Sequence, residues 1–217
     1  ANSAGPDEVD LSAPQVADPD ELRRRIDAGE WVVDLRTRTA FAAGHLPRSY
    51  SFGLDGSFVT YLGWIIPWGT AVTLLGETAD DVSRAQREMV RIGIDRPAAM
   101  ATGTPHDWSG GEPLASFPVA SYADVARARA DGAEPHLIDL RRDDERRAGH
   151  IVGTQHLPLH ELVETPAPVL IEHSGIVPTV VGAGDHRRDC DVATFILEPL
   201  CAHGEVRRHR NLSFFPP

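Results

Sequence analysis

Short apolar runs alternate with helical patterns along this chain, and the whole alternation occurs twice. Residues 17–29 (ADPDELRRRIDAG) read as a helix opening on a cap at Asp18 and stopping at Gly29. An apolar strand ending at Asp34 follows, and residues 71–93 (AVTLLGETADDVSRAQREMVRIG) read as a strand, a polar loop and a second helix. In the second half, residues 120–132 (ASYADVARARADG) open on Ser121 and stop at Gly132, a strand ends at Asp139, and residues 179–204 (TVVGAGDHRRDCDVATFILEPLCAHG) repeat the strand, loop and helix. Strands alternating with helices predict βαβ units, so the expected fold is α/β, with two domains that each carry a mainly parallel sheet flanked by helices.

The repeat extends to individual residues. WVVDLRTRTAFAAGHLPRS at 31–49 and HLIDLRRDDERRAGHIVGTQ at 136–155 align without a gap, Asp34 with Asp139, Arg36 with Arg141, and Gly44-His45 with Gly149-His150. The later strands place Gly76 opposite Gly182. The Gly-, Pro- and Ser-rich stretch 102–118 (TGTPHDWSGGEPLASFP) keeps no hydrophobic period and reads as a linker. With a boundary near Gly111, the expected domains are 1–110 and 111–217.

Composition and charge narrow the function classes. With 41% hydrophobic and 24% charged residues, the 217-residue chain has the make-up of an ordinary globular protein. No segment approaches the roughly 18 apolar residues of a membrane helix. The most apolar stretch, 61–68 (YLGWIIPW), is broken by Gly63 and Pro67 and reads as a buried or docking loop. A net charge of -11 argues against a nucleic-acid or anionic-membrane surface, so neither partner is expected. All 21 basic residues are arginine. Cys190 and Cys201 form neither a CxxC pair nor a disulfide framework, which points to a reducing compartment and a cytoplasmic protein. The chain opens on Ala1-Asn2-Ser3 without an initiator Met or an apolar signal region, which fits a processed product or the tail of something longer.

An apolar strand ending in Asp-x-Arg, then a short turn and Gly-His-Leu or Gly-His-Ile, resembles the rhodanese (sulfurtransferase) superfamily, and does so twice. More narrowly, AFAAGHLPRSYSFGLDGSFVTYLGWIIPW at 40–68 is similar to the first of two rhodanese-like domains at the C-terminus of some metallo-β-lactamase-fold hydrolases of the persulfide dioxygenase type. No HxHxDH metal motif occurs in the chain. The resemblance implies a cysteine at the end of the strand before the loop, carrying sulfur as a persulfide while loop N–H groups fold around it. A thiolate is the nucleophile, and convergent N–H donors at a helix N-terminus stabilise it and an anionic donor.

Neither repeat supplies that cysteine. In the first, the position is Gly76 and the loop continues Glu77-Thr78-Ala79-Asp80-Asp81. Each such acid about 4 Å from a dianionic donor would cost on the order of 4 kcal/mol at an effective dielectric near 20. This degenerate loop therefore reads as a capped helix start with its acids on the dipole. In the second, Gly182-Ala183-Gly184-Asp185-His186-Arg187-Arg188 also opens on glycine but brings arginines to a helix N-terminus, a candidate site for a small anion such as thiosulfate, persulfide or sulfate. An alternative register ends the strand at PVLIEH and puts His173 at the nucleophile position, but no helix start follows it.

Cys190, in the first turn beyond that loop, is the candidate nucleophile, set against the reading of a small packed side chain. Cys201 reads as core. Asp34 with Arg36 and Asp139 with Arg141 end strands where open α/β sheets place their sites, and the resemblance implies that these acids support the loops. His45 and His150 read as backbone hydrogen-bonding groups. No zinc spacing occurs, so neither metal nor cofactor is expected. Trp64 and Trp68 suit a docking surface or packing between domains, and the run Arg207-Arg208-His209-Arg210 a solvated tail or a contact for an acidic partner. The leading expectation is a non-catalytic or regulatory module of sulfur metabolism, associated with a metallohydrolase domain or protein. The rival is a thiosulfate or persulfide sulfurtransferase using Cys190. A rhodanese-like phosphatase ranks last, because it too needs a loop cysteine.

Overall fold

The computed structural model describes residues 9–54, 57–133, 137–158, 161 and 179–181. The chain divides into two compact units, Ala1–Ser116 and Phe117–Pro217.

In the first unit the elements run α1 (Pro19–Asp27), β1 (Trp31–Asp34), α2 (Arg38–Ala43), β2 (Tyr50–Ser51), α3 (Phe58–Ile65), β3 (Val72–Gly76), α4 (Ala79–Met89), β4 (Ala99–Thr102) and α5 (Pro105–Ser109). All strand pairs are parallel and the sheet order is β2-β1-β3-β4. Beyond β4, Val16 forms a single parallel bridge with Met100.

Every residue of β1 and of β3 is buried, because helices cover both faces of a parallel sheet. Alternation sorts the side chains by face. Trp31, Val33, Val72 and Leu74 pack with Phe58 and Leu62 of α3 and Val82, Ala85 and Met89 of α4. Val32, Leu75, Ala99 and Ala101 pack on the opposite side with Leu22 and Ile26 of α1 and Trp108 of α5. The helix starts are locally encoded. Asp18 accepts the Glu21 N–H at 2.8 Å with Pro19 at the first helical position.

Two stretches depart from the sequence expectation. Residues 102–109, within the expected linker, are the end of β4 and the short helix α5. Thr104 and Asp107 form a reciprocal capping box around Pro105, and Trp108 is only 2% exposed. A five-residue helix holding one large apolar side chain is too short to show a period. Ala115 also stays with the first unit, exchanging two 2.9 Å backbone hydrogen bonds with His45. Residues 61–65 of the stretch read as an apolar loop belong to the helix α3, because Phe58, Val59 and Leu62 share one buried face. Gly63 is where Ile92 crosses it, a Cβ there lying 2.9 Å from Ile92 Cγ2.

The second unit contains α6 (Tyr122–Ala130), β5 (Leu137–Asp139), α7 (Asp143–Ala148), β6 (Gln155–His156) and β7 (Thr179–Val181). Its sheet is parallel in the order β6-β5-β7, matching β2-β1-β3 of the first. Ser121 caps α6 through a capping box with Asp124. That box holds the Asp124 carboxyl below its ordinary value, chiefly through the Ser121 hydroxyl and then its backbone N–H. Registers agree across the repeat, Asp34 pairing with Leu75 and Asp139 with Val181.

If residues 102–109 pack as described, Trp108→Ala removes a core side chain. We expect it to destabilise the first unit by about 3–5 kcal/mol, read as a lowered urea midpoint. A change under about 0.5 kcal/mol, the usual size for an exposed surface position, would mean that the stretch is a linker after all.

Candidate functional site

Parallel strands bring their C-terminal ends to one edge of each sheet, where the loops after them can hold a ligand. In the first unit that edge is organised by a buried ion pair. Asp34, fully buried, accepts the Arg36 backbone N–H and Nε at 3.0 Å on Oδ1 and Arg36 Nη2 at 2.6 Å on Oδ2. Arg36 Nη2 also donates to the Gly44 carbonyl at 2.8 Å, and its guanidinium lies 5.2 Å from the Trp108 ring centroid. The strand end, the turn before His45 and α5 are thereby tied together. His45 donates from Nδ1 to the Phe41 carbonyl at 2.8 Å and stacks on the Phe41 ring.

The second unit repeats this clamp atom for atom. Asp139 accepts from the Arg141 N–H at 3.1 Å, Nε at 2.9 Å and Nη2 at 2.8 Å, and Arg141 Nη2 donates to Gly149 O at 2.8 Å. One residue, not singled out in the sequence, is added. Arg146 donates from Nη1 to Asp139 Oδ2 at 3.1 Å and to Thr154 Oγ1 at 2.8 Å. The ungapped repeat aligns Arg146 with Phe41, so that exchange of an aromatic ring for a cation was the signal. Burial pushes the Asp139 carboxyl up, but the Arg141 hydrogen bonds and the Arg141 and Arg146 charges outweigh it and hold it below its ordinary value. His156 donates from Nε2 to the Arg141 carbonyl at 2.8 Å.

The loop after β3 is closed. A Cβ built on Gly76 would lie 3.1 Å from Thr78 O, 3.1 Å from Val82 Cγ2 and 3.2 Å from Asp81 Cβ, tighter than ordinary packing allows. Two of the loop's amides are committed to the cap. Thr78 N–H donates to Asp81 Oδ2 at 2.9 Å and Asp81 N–H to Thr78 Oγ1 at 3.2 Å. Gly103 N–H donates to the carbonyls of Gly76 at 3.1 Å and Glu77 at 3.3 Å, stitching the loop to the end of β4. Glu77, Ala79 and Asp80 face solvent and Asp81 is half-buried. Gly76 to Asp81 thus form a capped helix start, with the Thr78 and Asp81 amides spent on the cap and crowded surroundings for any side chain at residue 76.

Gly182 to Arg188, Cys190, Cys201, His173 and Arg207 to Arg210 lie outside the described residues. Val181 stands in the register position of Leu75, and Gly182 follows it in sequence as Gly76 follows Leu75. Among the described residues, no three His, Cys, Asp or Glu side chains are grouped to hold a metal ion, and no helix is long and apolar enough to cross a membrane.

Fold and edge geometry together define two compact units with parallel α/β sheets organised on a repeated Asp-x-Arg clamp. No family model matches the chain, and no curated protein does. Solved structures similar to it include the rhodanese-like domain of the Alr3790 protein from Anabaena sp., at 18% identity over 50% of this chain and 86% of that one, with a TM-score of 0.40. Wild-type EanB is 17% identical over 85% of this chain and 53% of its own, with a TM-score of 0.41. A metallo-beta-lactamase from Staphylococcus aureus subsp. aureus COL is 21% identical over 45% of this chain and 26% of its own, with a TM-score of 0.38. The chain thus spans about half of EanB and a quarter of the staphylococcal protein.

The Asp139 clamp gives a pH dependence whose sign follows from its direction of shift. The folded carboxyl ionises below the ordinary value of about 3.9. Its stabilisation is therefore complete above that value and is lost as pH falls through the lowered folded value. We expect Asp139→Asn to weaken the second unit at neutral pH and to flatten its acid unfolding below about pH 4. Unchanged acid profiles by far-UV circular dichroism would remove the clamp from the account.

Proposed function

We propose that the chain is a tandem rhodanese-like protein, divided at about residues 1–110 and 111–217, that serves as a non-catalytic or regulatory module of sulfur metabolism. The closed first loop carries this reading. Where the family resemblance implies a persulfide-bearing cysteine among free amides, this chain has Gly76 crowded by Thr78, Asp81 and Val82, with the Thr78 and Asp81 amides spent on a capping box and acids along the loop. In the second unit the proposed ligand is a small anion such as thiosulfate, persulfide or sulfate, held by Gly182 to Arg188. The extra Arg146 at that unit's sheet edge supports this by adding positive charge. The proposed partner is a metallohydrolase domain or protein, on the sequence resemblance of residues 40–68, and the proposed compartment is the cytoplasm.

The test is thiosulfate:cyanide sulfurtransferase turnover by the full chain, expected at background. Gly76→Cys should stay there too, because the added side chain is crowded by Val82 and Asp81 and stands beside the acids Glu77, Asp80 and Asp81. Substantial turnover by Gly76→Cys would show that the loop opens and that only the thiol was missing.

The second reading, a sulfurtransferase using Cys190, is favoured by Arg187 and Arg188 three and two residues before it in sequence. Intact-protein mass spectrometry after thiosulfate treatment separates the two. A persulfide on Cys190 adds one sulfur, about 32 Da, and Cys190→Ser must abolish it. We expect no such adduct.

A further inference from the structure

The first unit carries an aromatic surface with unpaired arginines at the edge of the sheet away from its candidate site. In a parallel sheet the segments leading into strands lie at the N-terminal edge. Residues 66–71, between α3 and β3, and 90–98, between α4 and β4, are both there. Trp68 is 90% exposed and Trp64 49% exposed, with Tyr61 edge-on to Trp64 at 5.6 Å. The Trp68 ring rests over Gly93, where a Cβ would lie 3.1 Å from Trp68 Cη2. Gly93 has φ +77°, so both its backbone and the ring above it favour glycine.

Arg91 lies two residues before Gly93. Arg87 lies one helical turn earlier, on the face of α4 away from buried Val82, Ala85, Gln86 and Met89. Neither arginine pairs with a carboxylate among the described residues, and Glu88, the acid beside them in sequence, is taken by Arg84 at 3.2 Å. Two exposed tryptophans, a tyrosine and two unpaired arginines are the side chains that dominate binding energy at protein interfaces.

We infer that this surface, Trp64 and Trp68 with Arg87 and Arg91, docks an amphipathic protein segment whose apolar side chains are flanked by carboxylates. Charge selects that occupant. In a twofold contact between copies of this chain, each arginine-bearing patch would meet another of the same sign. An anionic membrane would attract the arginines, but its extended surface would also face the acidic remainder of a chain whose net charge is -11. A short acidic segment meets only the ground within about a Debye length of the arginines. The inference deepens the reading of the chain as an interaction module and rests on it.

The experiment uses the full chain and two synthetic 16-residue amphipathic peptides with the same Leu and Phe positions, one with Glu and one with Lys on the polar face. Trp31 and Trp108 are buried, so changes in tryptophan emission report Trp64 and Trp68. The acidic peptide should shift emission to the blue with a Kd of tens of micromolar, and the basic one should not bind. Trp68→Ala, or Arg87→Glu combined with Arg91→Glu, should weaken binding about tenfold or more while the far-UV spectrum is unchanged. Four outcomes would overturn the inference: equal binding of both peptides, preferential binding to anionic phosphatidylserine vesicles, a concentration-dependent dimer that Trp68→Ala abolishes, or exposed tryptophans shielded from acrylamide in the free chain. Sulfurtransferase turnover, by contrast, would sink the non-catalytic reading and leave the peptide result standing.

Discussion

Taking the Asp34 carboxylate out of water costs several kcal/mol, and only its geometry with Arg36 offsets that cost. Three donors of one residue converge on the carboxylate, and the same guanidinium reaches Gly44 O. Removing either partner would leave a buried charge unpaired, typically a loss of about 3–5 kcal/mol. The clamp therefore obliges β1 to end at Asp34 and the chain to turn at once. It also places α2 and the following strand, whose Phe52 N–H donates to Asp34 O at 3.0 Å. The second unit obeys the same constraint, with Leu157 N–H on Asp139 O at 3.0 Å. A device this local survives repetition, since everything it needs lies within a few residues.

What surrounds the clamp differs in each unit, and that difference follows from one tryptophan and one arginine. In the first unit Trp108 covers the guanidinium while filling the core beneath Val32, Leu75 and Ala101. Its Nε1–H is buried without an acceptor among the described residues, which offsets part of the gain from burying so large a side chain. The segment that brings Trp108 there also delivers Gly103, whose N–H closes the Gly76 loop. Packing of α5 and closure of the degenerate loop are thus one structural event.

Features encoded over three or four residues were legible in the sequence. Asp-x-Arg, the Asp18 and Ser121 caps, the acids after Gly76 and the repeat itself all follow from local rules. What was not legible depended on distant partners. Residues 105–109 look like linker because a single tryptophan carries their burial. Residues 61–65 look irregular because Gly63, read as a breaker, is the small residue on which Ile92 sits. The lack of a thiol at Gly76 was evident from the residue alone. The crowding around that position was not, since it comes from Thr78, Asp81 and Val82 folding back on it, in a loop stitched down by the Gly103 N–H.

The two sheet edges also differ in charge. Around Asp34 one carboxylate meets one guanidinium and the pair is neutral, while the loop alongside it carries Glu77, Asp80 and Asp81. Around Asp139 one carboxylate meets two guanidiniums, leaving one positive charge within the clamp itself, with the acids Asp143, Asp144 and Glu145 just beyond it in the first turn of α7. An anion about 8 Å away would gain on the order of 2 kcal/mol from that charge at an effective dielectric near 20. The guanidinium donors of Arg146 that bond Asp139 and Thr154 are committed, so its contribution is to the field rather than to contacts. The strand beside Asp139 leads in sequence to Gly182 and two arginines, so local field and loop composition have the same sign. In the first unit the pair is neutral and the loop acids oppose an anion. The shared Asp-x-Arg geometry thus sits in different charge surroundings in the two units, and that difference is why the proposed anion site is assigned to the second.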